Sequence, residues 1–192
     1  MKNQFLVEDF IGIYPEYYSE KYCKDVINHY KFCNGLNKKV KEKAPINYLE
    51  LCDTNCDPVV LHSSSVLGNS FATGVWEAYS DYSKKYGVIP KLATHRISSS
   101  VKIQKINSGG DTEQWSCYNR DSLSSRKILT AVLFLNNVDQ GGEIEFLYQS
   151  KRVYSDQGTL VLFPSSYTHS FRDNTPYGVD RYTLVTWLEF ID

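Results

Sequence analysis

The spacing of apolar and polar positions changes character about midway along the chain. Through residues 18–33, "YSEKYCKDVINHYKFC", apolar or aromatic side chains recur at 22, 26, 27, 30 and 33. That spacing predicts an amphipathic helix, with Ser19 placed to cap its first turn. "SFATGVWEAYSDYSKKY" at 70–86 predicts a second helix, stopped by Gly87 and Pro90. Residues 35–65 are polar and turn-rich and assign to no element. After Ser98 the pattern shortens to strand length. "SSVKIQKI", "KILTAVLFLN", "GEIEFLY", "GTLVLFP" and "RYTLVTWLEF" are short β-branched or aromatic runs, divided by the turn signals "NSGGD", "NNVDQGG" and "SDQG". Two helices followed by at least six strands predict an α+β, mainly β fold. In it a helical layer packs on one face of a sandwich or barrel, as in a jelly-roll-like double sheet with one face toward a cavity. No repeat, low-complexity tract or linker divides the sequence. It reads as a single domain over 1–192, with a helical support region at 1–97 and a double-sheet core at 98–192.

Composition narrows the function classes. A chain of 192 residues is long enough to bury about 70% of its unfolded surface. The net charge is -1 and the pI about 6.4, with no basic stripe and no acidic tail, so nucleic acid is not an expected partner. The apolar runs fall far short of the ~20 residues of a membrane helix, and "MKNQFLVEDF" lacks the regions of a signal peptide. The expectation is a soluble, cytoplasmic protein without a membrane partner. Cysteines at 23, 33, 52, 56 and 117 are odd in number and irregular in spacing, which reads as reduced thiols. "CDTNC" at 52–56 has no second pair to complete a zinc site. Fifteen tyrosines, nine phenylalanines and three tryptophans suit a sheet-built core with a wide cavity.

The stretch "PSSYTHSFRDNTPYGVDRY" at 164–182 carries His169, the only histidine after His95, and ends close to Arg181. Flanking apolar strands put His169 near a core, where it is either a metal ligand or a packed, hydrogen-bonded histidine. Strand alternation projects Arg181 and Thr183 to one face. Arg181 alone also reads as an arginine that ion-pairs with Asp180 or Asp173. Gly141 and Gly142 read as turn formers, and Glu143 and Glu145 as strand residues rather than catalysts.

The order of "VKIQK" at 101–105, "LTAVLFLNNVDQGGEIEFLYQ" at 129–149, "GTLVLFPSSYTHSF" at 158–171 and "RYTLVTWLEF" at 181–190 resembles the 2-oxoglutarate- and Fe(II)-dependent oxygenases, in their prolyl 4-hydroxylase-like branch. "FIGIYPEYYSEKYCKDVINHY" is similar to the start of small microbial and phage members, so the resemblance spans nearly the whole chain. It implies a double-stranded β-helix. It also implies Fe(II) held by two histidines and a carboxylate, with open positions for 2-oxoglutarate and oxygen. The family's distal metal histidine falls on His169. Its basic residue for the far carboxylate of 2-oxoglutarate falls on Arg181, and an assisting hydroxyl on Thr183. A guanidinium suits a two-point carboxylate contact.

The same resemblance calls for a His-x-Asp/Glu pair after "VKIQK", and the sequence departs from it there. Trp115 matches the residue that often precedes the pair, but the ligand positions hold Ser116 and Tyr118. A serine hydroxyl is a poor neutral donor, and a phenol with a pKa near 10 must first lose its proton. Asp111, Glu113 and Cys117 fall on the opposite strand face from 116 and 118, which share theirs with Thr112 and Gln114. Only a bulge or another loop path would turn Asp121 or Glu113 inward. His95 is too far in the pattern to assign, and His29 and His62 belong to the helical half, at its surface. The sequence therefore reads as an oxygenase-like protein impaired or inactive in iron-dependent hydroxylation. The alternative is an active hydroxylase of a protein or small-molecule substrate with a rearranged metal site. A carbohydrate- or peptide-binding jelly roll would rest on the aromatic richness alone. Nothing in the sequence selects a substrate.

Overall fold

A computed structural model describes residues 5–41, 59–63, 65–110, 114–122 and 124–191. The "CDTNC" segment and Asp111, Thr112 and Glu113 lie outside the described residues. Helix α1 spans Glu20–Lys41 and helix α2 Val66–Lys85. The Ser19 hydroxyl accepts the Tyr22 amide at 3.2 Å, the cap that the pattern predicts. Helix α2 begins four residues earlier than its apolar pattern, because the Ser65 side chain caps it by accepting the Gly68 amide at 3.1 Å.

The strands are β1 (Leu6–Glu8), β2 (Ile11–Tyr14), β3 (Val59–His62), β4 (His95–Ile97), β5 (Ser100–Ile106), β6 (Lys127–Phe134), β7 (Ile144–Phe146), β8 (Lys151–Val153), β9 (Leu160–Pro164), β10 (Phe171–Asp173) and β11 (Arg181–Phe190). They form an antiparallel sheet in the order β1-β2-β9-β6-β11-β5-β3, with β4 paired to the far end of β11, and a second sheet in the order β10-β7-β8. Residues 1–97, read from sequence as helical support, thus also contribute four strands to the larger sheet. These strands are three or four residues long, too short for alternation to mark them.

The period of two along β11 sorts its side chains between two cores. Leu184 and Leu188 face the helices, where Cys23, Val26 and Tyr30 of α1 and Phe71, Val75 and Tyr82 of α2 are buried against the sheet. Val185 and Trp187 face the second sheet and pack with Phe134, Phe163, Ile144, Phe146 and Phe171. Arg181 and Thr183 share the parity of this inner face. The fold is the helix-backed double sheet predicted from the sequence, with Phe134, Phe146, Phe163, Phe171 and Trp187 packed between its sheets. No helix among the described residues is long and apolar enough to cross a membrane.

Candidate functional site

Ser116 forms an isolated antiparallel bridge with Phe171: its amide donates to the Phe171 carbonyl at 2.9 Å, and the Phe171 amide returns a bond at 2.8 Å. Directly opposed residues of such a pair share a face, so Ser116 lies on the inner side with Phe171. The Tyr118 ring lies there, 5.2 Å from the Phe171 ring and 5.2 Å, edge-on, from the Trp187 ring. The Lys127 ammonium stands 3.7 Å from the Trp187 centroid, a cation–π contact that closes this aromatic group. Burial, with Lys102 and Arg120 nearby, pushes the pKa of Lys127 below the usual lysine value. Trp115 is on the other face, under the Arg172 guanidinium at 4.6 Å.

His169 ends a 3-10 turn, Tyr167–His169, between β9 and β10, and is buried. Its Nε2 donates to the Asp9 carbonyl at 2.9 Å, in the turn between β1 and β2. A neutral ring that donates through Nε2 keeps its lone pair on Nδ1, which accepts the Thr168 hydroxyl at 3.1 Å. Phe10 meets the imidazole edge-on, with centroids 6.2 Å apart. Burial holds the pKa of His169 below the ordinary histidine value, against the opposing pull of the Asp9 carbonyl.

Arg181 opens β11 and is 2% exposed. Its Nη2 pairs with Asp173 Oδ1 on β10, and its Nη1 donates to the Gly142 carbonyl at 2.9 Å. Its Nε is buried and has no hydrogen-bond partner among the described residues. Gly141 and Gly142 form the turn that presents this carbonyl, at φ +70° and +71°. Thr183 is buried two residues along the same face. Of the two partners that the sequence offers Arg181, Asp173 is the one it meets. Asp180 instead binds Lys105 at 2.7 Å and the Ser108 amide at 3.0 Å.

The remaining candidates lie elsewhere. Glu145 on β7 ion-pairs with Arg152 at 2.9 Å and Arg172 at 2.7 Å. His95 Nε2 accepts the Tyr79 hydroxyl at 2.7 Å, and its Nδ1 donates to the Ala93 carbonyl at 3.1 Å. His29 is half-buried on α1, 3.4 Å from the Cys33 sulfur. His62 ends β3. Cys23, Cys33 and Cys117 are free thiols. Asp121 is exposed, and its carboxylate accepts the Ser124 amide and hydroxyl, each at 2.8 Å. An open pocket of about 450 Å³, lined by Ile27, Lys31, Asn136, Asp180 and Tyr182, lies beside α1 on the helical side of the sheet.

Among the described residues no three His, Cys, Asp or Glu side chains come together as a metal centre requires. The inward positions 116 and 118 carry a hydroxyl and a phenol, the one lone pair of His169 faces a hydroxyl, and Arg181 already faces a carboxylate. These described side chains do not fit a ferrous ion chelated by 2-oxoglutarate.

Residues 104–189 match the model of the 2OG-Fe(II) oxygenase superfamily. A search of curated proteins finds no match to the chain. Solved structures with the same fold include the viral collagen prolyl hydroxylase of Paramecium Bursaria Chlorella virus-1 in its 2OG complex. It has a TM-score of 0.66 at 11% identity, with 96% of this chain and 97% of that chain covered. A Pseudomonas putida prolyl-4-hydroxylase gives 0.63 at 14% identity, covering 95% and 94%. A Trichoplax adhaerens prolyl hydroxylase, in complex with a hypoxia inducible factor oxygen degradation domain peptide fragment, gives 0.61 at 12% identity, covering 94% and 84%.

Proposed function

We propose, for a chain whose residues 104–189 match the model of the 2OG-Fe(II) oxygenase superfamily and which shares the fold of prolyl 4-hydroxylases, that iron-dependent hydroxylation has been lost and the double sheet kept as a binding scaffold. The observation that carries this reading is the packing of Tyr118 against Phe171 and Trp187. On our reading Tyr118 stands at one of the two positions where the family places a metal ligand, and its ring is packed into the aromatic interior. The use of both His169 nitrogens within the fold supports it. The solved relatives are named as prolyl hydroxylases, one of them with a peptide bound, so an extended polypeptide is the partner class we favour.

The test is metal content and turnover. Purified protein incubated with Fe(II), 2-oxoglutarate and ascorbate is expected to release no succinate above a metal-free blank and to retain no stoichiometric iron. Anomalous scattering from iron beside His169, or succinate release with any prolyl peptide, overturns the reading in favour of an active hydroxylase with a rearranged site. In the converse arm, Ser116→His with Tyr118→Asp is expected to raise Fe(II) affinity sharply. A double variant that folds and binds no more metal than the parent shows that 116 and 118 are not the ligand positions.

A further inference from the structure

We propose that Asp173 is a built-in occupant of the anion anchor at Arg181. From β10 the chain presents the carboxylate that a small carboxylic acid would otherwise bring, and so keeps the anchor closed. This rests on the reading above that iron chemistry is lost, and extends it to the dicarboxylate.

The geometry has the form of a ligand site filled from within. Arg181 is 2% exposed, and its side chain meets only one oxygen of Asp173 through Nη2. Nη1 is held by the Gly142 carbonyl. That leaves Nε, on the guanidinium edge that a two-point carboxylate would also engage, buried and without a partner among the described residues. Asp173 cannot move aside easily. Its strand pairs with β7 through Asp173↔Ile144, and the next residue is tied in as well, its amide donating to the Glu143 carbonyl at 2.9 Å. An incoming carboxylate would therefore have to share one guanidinium with a carboxylate already in place. Two like charges a few ångströms apart, away from water, repel strongly. The chain itself is what excludes the ligand.

Removing the Asp173 charge should open the anchor to carboxylates of one to five carbons. The test is a thermal-shift titration of the metal-free protein in chelator. The parent, Asp173→Ala and Asp173→Asn are each titrated with formate, acetate and 2-oxoglutarate against chloride at matched ionic strength. The parent is expected to show no carboxylate-specific shift. Asp173→Ala is expected to rise saturably with formate, on the order of 5 °C at ~100 times the dissociation constant, and Asp173→Asn to rise less. If Asp173→Ala folds only when formate is present, that is the same result in stronger form. A saturable rise of the parent with 2-oxoglutarate overturns the proposal, because Asp173 would then be displaceable. Identical responses of both variants to formate and chloride, or a failure of formate to recover an unfolded Asp173→Ala, overturn it too. Because no metal is present, the two readings fail separately. Iron uptake by a parent indifferent to 2-oxoglutarate removes only the first, and 2-oxoglutarate binding without iron uptake removes only the second.

Discussion

His169 Nε2 donates to the Asp9 carbonyl at 2.9 Å, joining the β9–β10 turn to the first hairpin of the chain across 160 residues of sequence. The bond fixes the tautomer and spends the imidazole on architecture. Replacing His169 by Ala removes this hydrogen bond and leaves a void at a buried position, at a cost of about 1–3 kcal/mol. For a protein of this size that is a fall of roughly 2–4 °C in Tm per kcal/mol.

The pH dependence follows from the same burial. The folded pKa of His169 lies below the ordinary value near 6.5. As pH falls through 6.5 the unfolded chain takes up the proton first, so stability present at neutral pH is lost from about pH 6.5 downward. The parent should lose Tm between pH 7 and 5.5, and His169→Gln should lose less. His29, His62 and His95 are common to both proteins and drop out of the difference. Equal slopes would show that this ring does not carry the effect.

How much of this was legible in the sequence differs from residue to residue. Strand parity along "RYTLVTWLEF" put Arg181 and Thr183 on one face, and the structure has both on the parity of Val185 and Trp187 in the inner core. The cap at Ser19 and the turn at Gly141–Gly142 were equally readable, because both are local chemistry. The turn that receives His169 was not. Asp9 and Phe10 adopt φ +47° and +59°; aspartate tolerates that region, but nothing in the sequence marks it at Phe10. Phe10 holds that conformation through distant groups. Its ring stacks on Tyr86 with centroids 4.2 Å apart, its amide donates to the Tyr86 hydroxyl at 2.8 Å, and its carbonyl accepts the Tyr82 hydroxyl at 2.8 Å. The group that His169 finds is a backbone carbonyl, which no letter of the sequence distinguishes. For Arg181 the sequence named Asp173 and Asp180 alike, and only the pairing of β10 with β7 decides between them.

Tyr118 offers a test of the filled interior. Its ring is wedged between Phe171 and Trp187, and truncation to Ala leaves a void that these rings cannot fully close. The expected loss is about 2–4 kcal/mol, below that of a fully buried aromatic because Tyr118 is partly exposed. Urea unfolding followed by tryptophan fluorescence reads it. A loss under about 0.5 kcal/mol would mean that the site collapses or was never packed.

Two glycines with the same backbone provide an internal control. Gly109 and Gly141 have φ +72° and +70°, so alanine strains both backbones alike. A Cβ on Gly109 would meet nothing within 4 Å, whereas on Gly141 it would lie 2.0 Å from the Thr175 carbonyl oxygen. Gly109→Ala should cost about 1 kcal/mol, and Gly141→Ala at least 2 kcal/mol more, because the turn holding the Gly142 carbonyl against Arg181 must move. Equal losses at the two positions would mean that the turn yields without strain.

The ion pair between the sheets yields the sharpest stability prediction. Arg181 and Asp173 have side chains 2% and 10% exposed, so each neutralises a charge that water does not reach. Arg181→Met strands the Asp173 carboxylate, and Asp173→Leu strands the guanidinium. Each single change should cost about 3–5 kcal/mol. Arg181→Met with Asp173→Leu removes both charges and leaves apolar groups beside Phe134, whose ring centroid lies 5.9 Å from the guanidinium carbon. The double variant should return to within about 1–2 kcal/mol of the parent, for a coupling energy of several kcal/mol. Denaturant unfolding of the four proteins reads the cycle. If the two losses simply add, the charges are solvated in solution and the buried pair is not what holds β10 against β11. If they cancel, each charge is kept only because the other is there.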